Sequence, residues 1–530
     1  MKYSIQTLLL LLSVFWVQEV FPQFYNVQWG ADYGYFRRTT ILDAKGKIGS
    51  KYYVYQREYD GMAGDIIQWR VDEGSIMRLD EDMKVEDRNT FKIEINKQKL
   101  AIHFGFFFKD KLHLITSYLD GKAHLQHVLL HTVDPNSLKI NPDNRKLCST
   151  PFRTRLSISQ PQVSISQDSS HFLILLNILE KGKDPEKFHF YVFDSNFEQV
   201  WNKEVSLPFR RNEFTIKEHI VDNQGNVHIL GKRRKERKEF EKGQANYVYY
   251  IETYSKDGGE SEYELAVEDK FLSDLHLVTK PEGNLVCMGF YGDHDPYYVN
   301  GTYYFKLDAK CRKIEKVNLF EFKKDFLMKG LEPIQRRQME ARLRSGVHIG
   351  LGLYRMKEII RKADGGFIFT AEQYFCGSLS NYPNPKAITS LSGTYYFNTI
   401  LVVNMGIDGE VEWAIKIPKH QRSLNDDGRY ASFATMLTKD KIYFIYNDVA
   451  KNIEEQRIEN ITNFRIVYRN VILAVASVDI HGNVKREKLI SNDEMPTNCR
   501  PAICRQVSPS EMLLYGDNGK RAQFGRLIIK

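Results

Sequence analysis

Three short stretches carry residue types able to do chemistry. In "YGDHDPYY", Tyr291 to Tyr298, the residues Asp293, His294 and Asp295 stand in a row. Carboxylate oxygens and an imidazole are donors that a divalent cation such as calcium or a transition metal accepts. Consecutive side chains diverge unless a turn gathers them, and Pro296 would supply one; the plainer role of the stretch is an Asx-type turn closing a strand. In "QYFCGSLSNYPNP", Gln373 to Pro385, the residues Tyr374, Asn381 and Tyr382 offer rings that stack and an amide that orients, the composition of a sugar or peptide site. In "NDDGR", Asn425 to Arg429, a turn carries two carboxylates, and Arg429 joins the candidate ligand contacts. No HExxH, GxSxG or complete phosphate-loop pattern occurs, and "GLGLYR" (Gly350 to Arg355) lacks the βαβ setting such a loop needs. The 14 His are scattered.

The elements that must position these residues repeat. "DNQGNVHILGKRR" joins a turn cluster to a short apolar run beginning near Val227, and a polar loop follows. The same order starts strands near Tyr52, Leu112, His171, Leu285, Phe367, Ile442 and Met512, at spacings of about 56 to 82 residues. Gly, Asn and Asp ahead of a β-rich run tolerate the backbone angles of a tight hairpin. Beyond the polar loop, "FHFYVFDSNFEQVWNKEVSL", "TYYFKLDAKCRKIEKVNL", "TILVVNMGIDGEVEWAIKI" and "NVILAVASVDIHGNVKREKL" give two further strands each. A four-stranded antiparallel unit copied in this way predicts an all-β fold, a β-propeller. Eight blades fit the copies, with seven the alternative. The last unit, "EMLLYGDN" with "QFGRLIIK", lacks a fourth strand, and "FYNVQWGADY" (Phe24 to Tyr33) is expected to complete it and close the ring. This layout resembles the exported bacterial β-propellers in architecture over nearly the whole mature chain. That resemblance implies a closed ring and no particular chemistry; with 5 Trp in all, the docking repeats of the eight-bladed quinoprotein dehydrogenases are missing.

Label the strands of a blade A to D from axis to rim. The B–C and D–A connections then share one face. The expected long segments all fall there: the B–C loops of blades six and seven (375–394 and 448–463), and a blade-five to blade-six connection at 321–356. In the last, "EPIQRRQMEARLR" suits a short basic helix begun by Pro333. Long loops on a rigid scaffold are where binding concentrates. The basic run Lys232 to Lys242 is the B–C loop of blade four, diluted by three Glu, and reads as a solvated hairpin tip that could attract an acidic polymer.

Composition bounds the partners. Apolar residues at 42% and aromatic ones at 13% build a core, and 75 Lys and Arg against 67 Asp and Glu leave a mild +8. So small and dispersed an excess argues against nucleic acid. "LLLLLSVFWV" behind Lys2 is too short to span a bilayer and reads as a signal peptide over residues 1–23, an uncleaved anchor being the alternative. The mature chain, 24–530, is then one propeller domain, secreted or periplasmic, without a transmembrane span and expected as a monomer. Among the six Cys, Cys499 and Cys504 in "CRPAIC" are the nearest candidates to pair. The functional expectation is a binding or scaffold propeller taking a polysaccharide or a protein on the loop face of blades five to seven. The alternative is a glycan hydrolase or lyase with carboxylates at the axial mouth.

Overall fold

The computed structural model describes residues 25–530 apart from 35–39, 59–73, 96, 154–158, 179–183, 268, 309–312, 332, 347–348, 377–392, 425, 427, 456, 466–469, 492 and 496. Its strands form eight small antiparallel sheets set in a ring, an eight-bladed β-propeller. The expected signal segment lies outside the described residues. Among the described residues no helix is long and apolar enough to cross a membrane.

The B strands are Lys51–Glu58, Lys111–Asp120, His171–Ile178, Val227–Arg234, Leu285–Gly292, Phe367–Cys376, Lys441–Val449 and Glu511–Asp517. Each contains one of the eight starts read from the sequence. They are covered on both faces by neighbouring blades; all eight residues of Leu285–Gly292 are buried. That is why they read as unbroken apolar runs rather than alternating ones. Rim strands show the opposite pattern, as in Ile314–Glu321, where half-buried and exposed residues alternate along the whole length.

Turns repeat as strictly as strands. Asp80, Asp194 and Asp479 open C–D turns, each accepting the backbone N–H groups two and four residues on, at 2.8 to 2.9 Å. Asp222 does the same in the A–B turn of blade four, at 2.9 and 2.7 Å. A carboxylate mimicking a backbone acceptor is the physical reason Asp recurs there. Blades are also pinned edge to edge: the Trp201 indole N–H donates to Gly225 O, and that of Trp413 to Ile480 O, both at 2.9 Å.

The ring closes through the last blade. Tyr25–Trp29 pairs antiparallel with Ala522–Ile529, Tyr25 opposite Ile529 and Trp29 opposite Gly525. The Tyr25 hydroxyl donates to Glu487 on the rim strand of blade seven at 3.0 Å. A buried cluster of Leu42, Tyr52, Val54, Leu513, Tyr515 and Phe524 seals blade eight against blade one.

Between blades five and six lie two helices, α1 (Lys324–Met328) and α2 (Pro333–Arg344). Met339 of α2 and Leu327, Met328 and Leu331 join the core cluster of blades five and six. Lys416, on a rim strand of blade six, aims its ammonium at the end of α1, donating to Phe326 O at 2.7 Å and Lys329 O at 2.9 Å. Gly330, at φ +84°, packs against Ile458 of the blade-seven B–C loop, where a Cβ would stand 2.6 Å from the Ile458 side chain. The helical insertion and that loop are therefore neighbours on one face.

Candidate functional site

A cleft of about 480 Å³ opens on the loop face between blades four and five. Its walls come from the blade-four B–C loop (Lys235, Gln244), the blade-four C strand (Tyr247, Tyr249), the following D–A connection (Asp269, Lys270) and the blade-five B–C loop (Asp293, His294). Tyr247 and Tyr249 stand two residues apart in a strand and so share one side of the sheet. The Lys232 ammonium, on the adjacent strand, lies 3.5 Å from the ring centre of Tyr247 and 5.2 Å from that of Tyr249. Among the described residues no carboxylate lies within ion-pair distance of it, although Asp274 acts on it from farther off. Burial, aided by Lys217, brings its pKa down to about 8. The Tyr247 hydroxyl is fixed by donation to Leu272 O at 2.8 Å.

The basic loop beside this cleft consumes part of its own charge. Arg233 holds Glu239 through two N–H groups at 3.0 and 2.9 Å, and Lys238 pairs with Glu236 at 3.0 Å. Arg237–Glu239 forms a single 3₁₀ turn with a reciprocal capping pair between Glu236 and Glu239. Lys235 is different: half-buried on the cleft wall, its ammonium makes no ion pair among the described residues.

The three candidate metal donors part company here. Asp293 pairs with Lys270 at 2.6 Å, and its N–H donates to Asn300 Oδ1 at 3.1 Å. His294 lines the cleft. Asp295 turns into its own loop, accepting the N–H groups of Tyr297 and Tyr298 at 2.8 and 3.1 Å, an Asx turn. Among the described residues no group of three His, Cys, Asp or Glu side chains is placed to hold a metal ion.

Of the candidate ligand contacts, Asn381 and Tyr382 lie outside the described residues. Tyr374 packs on Phe397 with ring centres 4.9 Å apart, and the Arg355 guanidinium sits 4.2 Å from its ring. Arg429 donates to the buried carboxylate of Asp517 at 2.9 Å, which also receives the Tyr430 hydroxyl at 2.6 Å and Arg500 at 3.4 Å. The two groups are adjacent, because Gly428, at φ +74°, rests on the Phe397 ring; a Cβ there would approach it to 2.4 Å. Beside them is a buried ionic network that the sequence reading did not foresee. Lys419 donates to Glu372 at 2.7 Å, to Phe397 O at 2.8 Å and to Gln421 at 2.9 Å, while Ser432 donates to the other Glu372 oxygen at 2.7 Å. A second groove, of about 330 Å³, runs between the helical insertion and the blade-seven loop, lined by Lys329, Arg336, Arg457 and Glu459 among others.

One arrangement has the order of a proton relay: Thr253 Oγ1 to His228 Nδ1 at 2.9 Å, and His228 Nε2 to Asp222 at 3.4 Å. His228 and Asp222 are wholly buried, and Asp222 is already engaged in capping its turn. It is a packing element of blade four, with no access for a substrate.

The chain matches no family model and no curated protein sequence. Among solved structures it is similar to the β-propeller domain of the Trilobed protease from Pyrococcus furiosus, at TM-score 0.37 and 12% identity over 87% of this chain and 99% of that one. It is similar to an acylaminoacyl peptidase from Pyrococcus horikoshii at TM-score 0.35 and 10% identity, over 90% of this chain but only 57% of that one. A protein of unknown function from Dyadobacter fermentans gives TM-score 0.32 and 10% identity over 81% and 95%. None of these likenesses brings an activity to this chain.

Proposed function

We propose that this protein is an exported binding propeller that takes a polysaccharide, preferentially one bearing acidic groups, on its loop face. The cleft between blades four and five carries the reading. It sets two tyrosine rings beside Lys232, which makes no ion pair among the described residues, with Lys235, likewise in no ion pair among them, on its wall. The largely buried tyrosines form part of the cleft wall, and ammonium groups in a partly desolvated wall favour carboxylate or sulfate substituents. The polysaccharide would run from this cleft toward the loops of blades five to seven.

The test is retention of the purified chain on immobilised polygalacturonate and on a neutral galactan, with a Lys235→Glu variant alongside. Salt-sensitive retention on the acidic polymer, weakened about tenfold or more by the substitution, supports the reading. Equal retention of variant and parent, or capture of neither polymer, removes the cleft from the account. Release of oligosaccharides during the same incubation would move the protein to the hydrolase or lyase class.

A further inference from the structure

Blade eight holds a pair of sulfur atoms that no binding role uses. Cys499 ends a short strand paired with Glu511–Asp517, and Cys504 follows one tight turn later. Their sulfurs stand 3.5 Å apart. The turn between them is fixed by Ile503 N–H on Arg500 O at 2.9 Å and Cys504 N–H on Pro501 O at 3.1 Å. A disulfide needs about 2.05 Å between sulfurs, so the two have about 1.5 Å left to close. The two thiols differ in access: Cys499 is fully buried, and Cys504 is partly open to solvent.

We infer that Cys499 and Cys504 are a dithiol that closes to a disulfide by exchange with a small-molecule or protein disulfide, Cys504 acting first and Cys499 resolving. The Cys504 thiolate attacks one sulfur of the incoming disulfide, forming a mixed disulfide and releasing one thiol. The Cys499 thiolate then attacks the Cys504 sulfur, forming the internal bond and releasing the second thiol. Two protons leave with the two released thiols, and the incoming disulfide is the two-electron oxidant. The order follows from geometry, because solvent reaches Cys504, whereas Cys499 is enclosed in the core with the Cys504 sulfur 3.5 Å away. The hydrogen bond with the Cys504 thiol, together with burial, pushes the Cys499 pKa up, which disfavours Cys499 as the first attacking thiolate.

The bond would staple the hairpin that carries Arg500. The Arg500 N–H donates to Tyr515 O at 2.8 Å, and its guanidinium shares Asp517 with Arg429, an arm from the blade-six to blade-seven connection. Oxidation therefore fixes one of the two cations holding the loop-face rim of the seam together. In contrast, Cys148 and Cys287 are buried within blades.

The decisive experiment equilibrates the full chain with reduced and oxidised glutathione, quenches with acid, alkylates under denaturing conditions and maps peptides. The expected product in oxidised buffer is a Cys499–Cys504 crosslink. Alkylation of both residues at a tenfold excess of oxidised glutathione, or a crosslink from either to another cysteine, overturns the pairing. In Cys499→Ser, Cys504 should accumulate a glutathione adduct; in Cys504→Ser, Cys499 should gain one at least tenfold more slowly. Equal rates overturn the assigned order. Should either variant fail to fold, native-state alkylation of the reduced parent reads the same asymmetry, with Cys504 modified at least tenfold faster.

Discussion

Replacing Glu372 by Gln tests whether the blade-six network holds the loop face together electrostatically. Both Glu372 and Lys419 are fully buried, 2.7 Å apart, and Lys357 approaches the second Glu372 oxygen to 3.3 Å. The amide keeps the shape and one acceptor but takes from two ammonium groups the carboxylate nearest them, leaving Lys419 only the more distant Asp448. Removing one member of a buried pair costs about 3 to 5 kcal/mol. The low end, about 3 kcal/mol, applies here because Lys419 retains Phe397 O and Gln421 as acceptors. Burial already lowers the Lys419 pKa, and Glu372 is the main influence opposing that. Without the carboxylate the folded-state value falls further below the unfolded one. Between those two values the unfolded chain holds the proton and the folded chain does not, so raising the pH favours folding. The deficit of Glu372→Gln, read as the shift in urea midpoint, should therefore be largest near neutrality or below and shrink toward pH 10. Adding Lys419→Met should recover most of it at pH 7. A deficit under about 1 kcal/mol, or one that grows with pH, would refute this account of the network.

Three further outcomes follow from the ring and its core. Deleting residues 25–29 strips the hydrogen-bonding partner from Ala522–Ile529 and leaves an unpaired edge; size-exclusion chromatography should show concentration-dependent association, and an unaltered monomer would contradict closure by this strand. His131 is buried against Thr116, and burial holds its pKa at about 4, below its ordinary 6.5. Its contribution should be lost as pH falls from 6.5 toward 4, at most about 3 kcal/mol, and His131→Gln should flatten the acid limb of the stability curve. Closing the six-residue Cys499–Cys504 loop should add about 2 kcal/mol, seen as a thermal midpoint a few degrees higher in oxidised than in reduced protein, with Cys499→Ser showing no such difference.

What could be read in advance divides along a physical line. The B strands lie between blades, so burial on both faces writes itself into contiguous apolar runs such as "LVCMGFYG", and turn caps write themselves into Asp and Gly at fixed offsets. Both signals are local, and from them the blade count and the completing strand at Tyr25–Trp29 follow. The cleft is not local. Tyr247 meets Lys232 only because two strands of one blade pair, and Asp293 and His294 reach the same opening only because blade five follows blade four around the ring. Glu372 and Lys419 are 47 residues apart and belong to different strands of blade six. The signal that could have found them is charge inside an apolar strand: Glu372 in "FIFTAEQYF", Lys419 in "AIKIPKHQ" and Lys232 after "VHILG". A B strand buried on both faces has no solvent side on which to place a charge, so Glu372 and Lys232 each require a partner or a nearby opening. Applied to every blade, that rule selects Lys232 and Glu372 together with Asp448 in blade seven and Glu511 and Asp517 in blade eight, whereas the density of polar residues in loops selected Asp293 to Asp295, two of which are satisfied by Lys270 and by their own backbone.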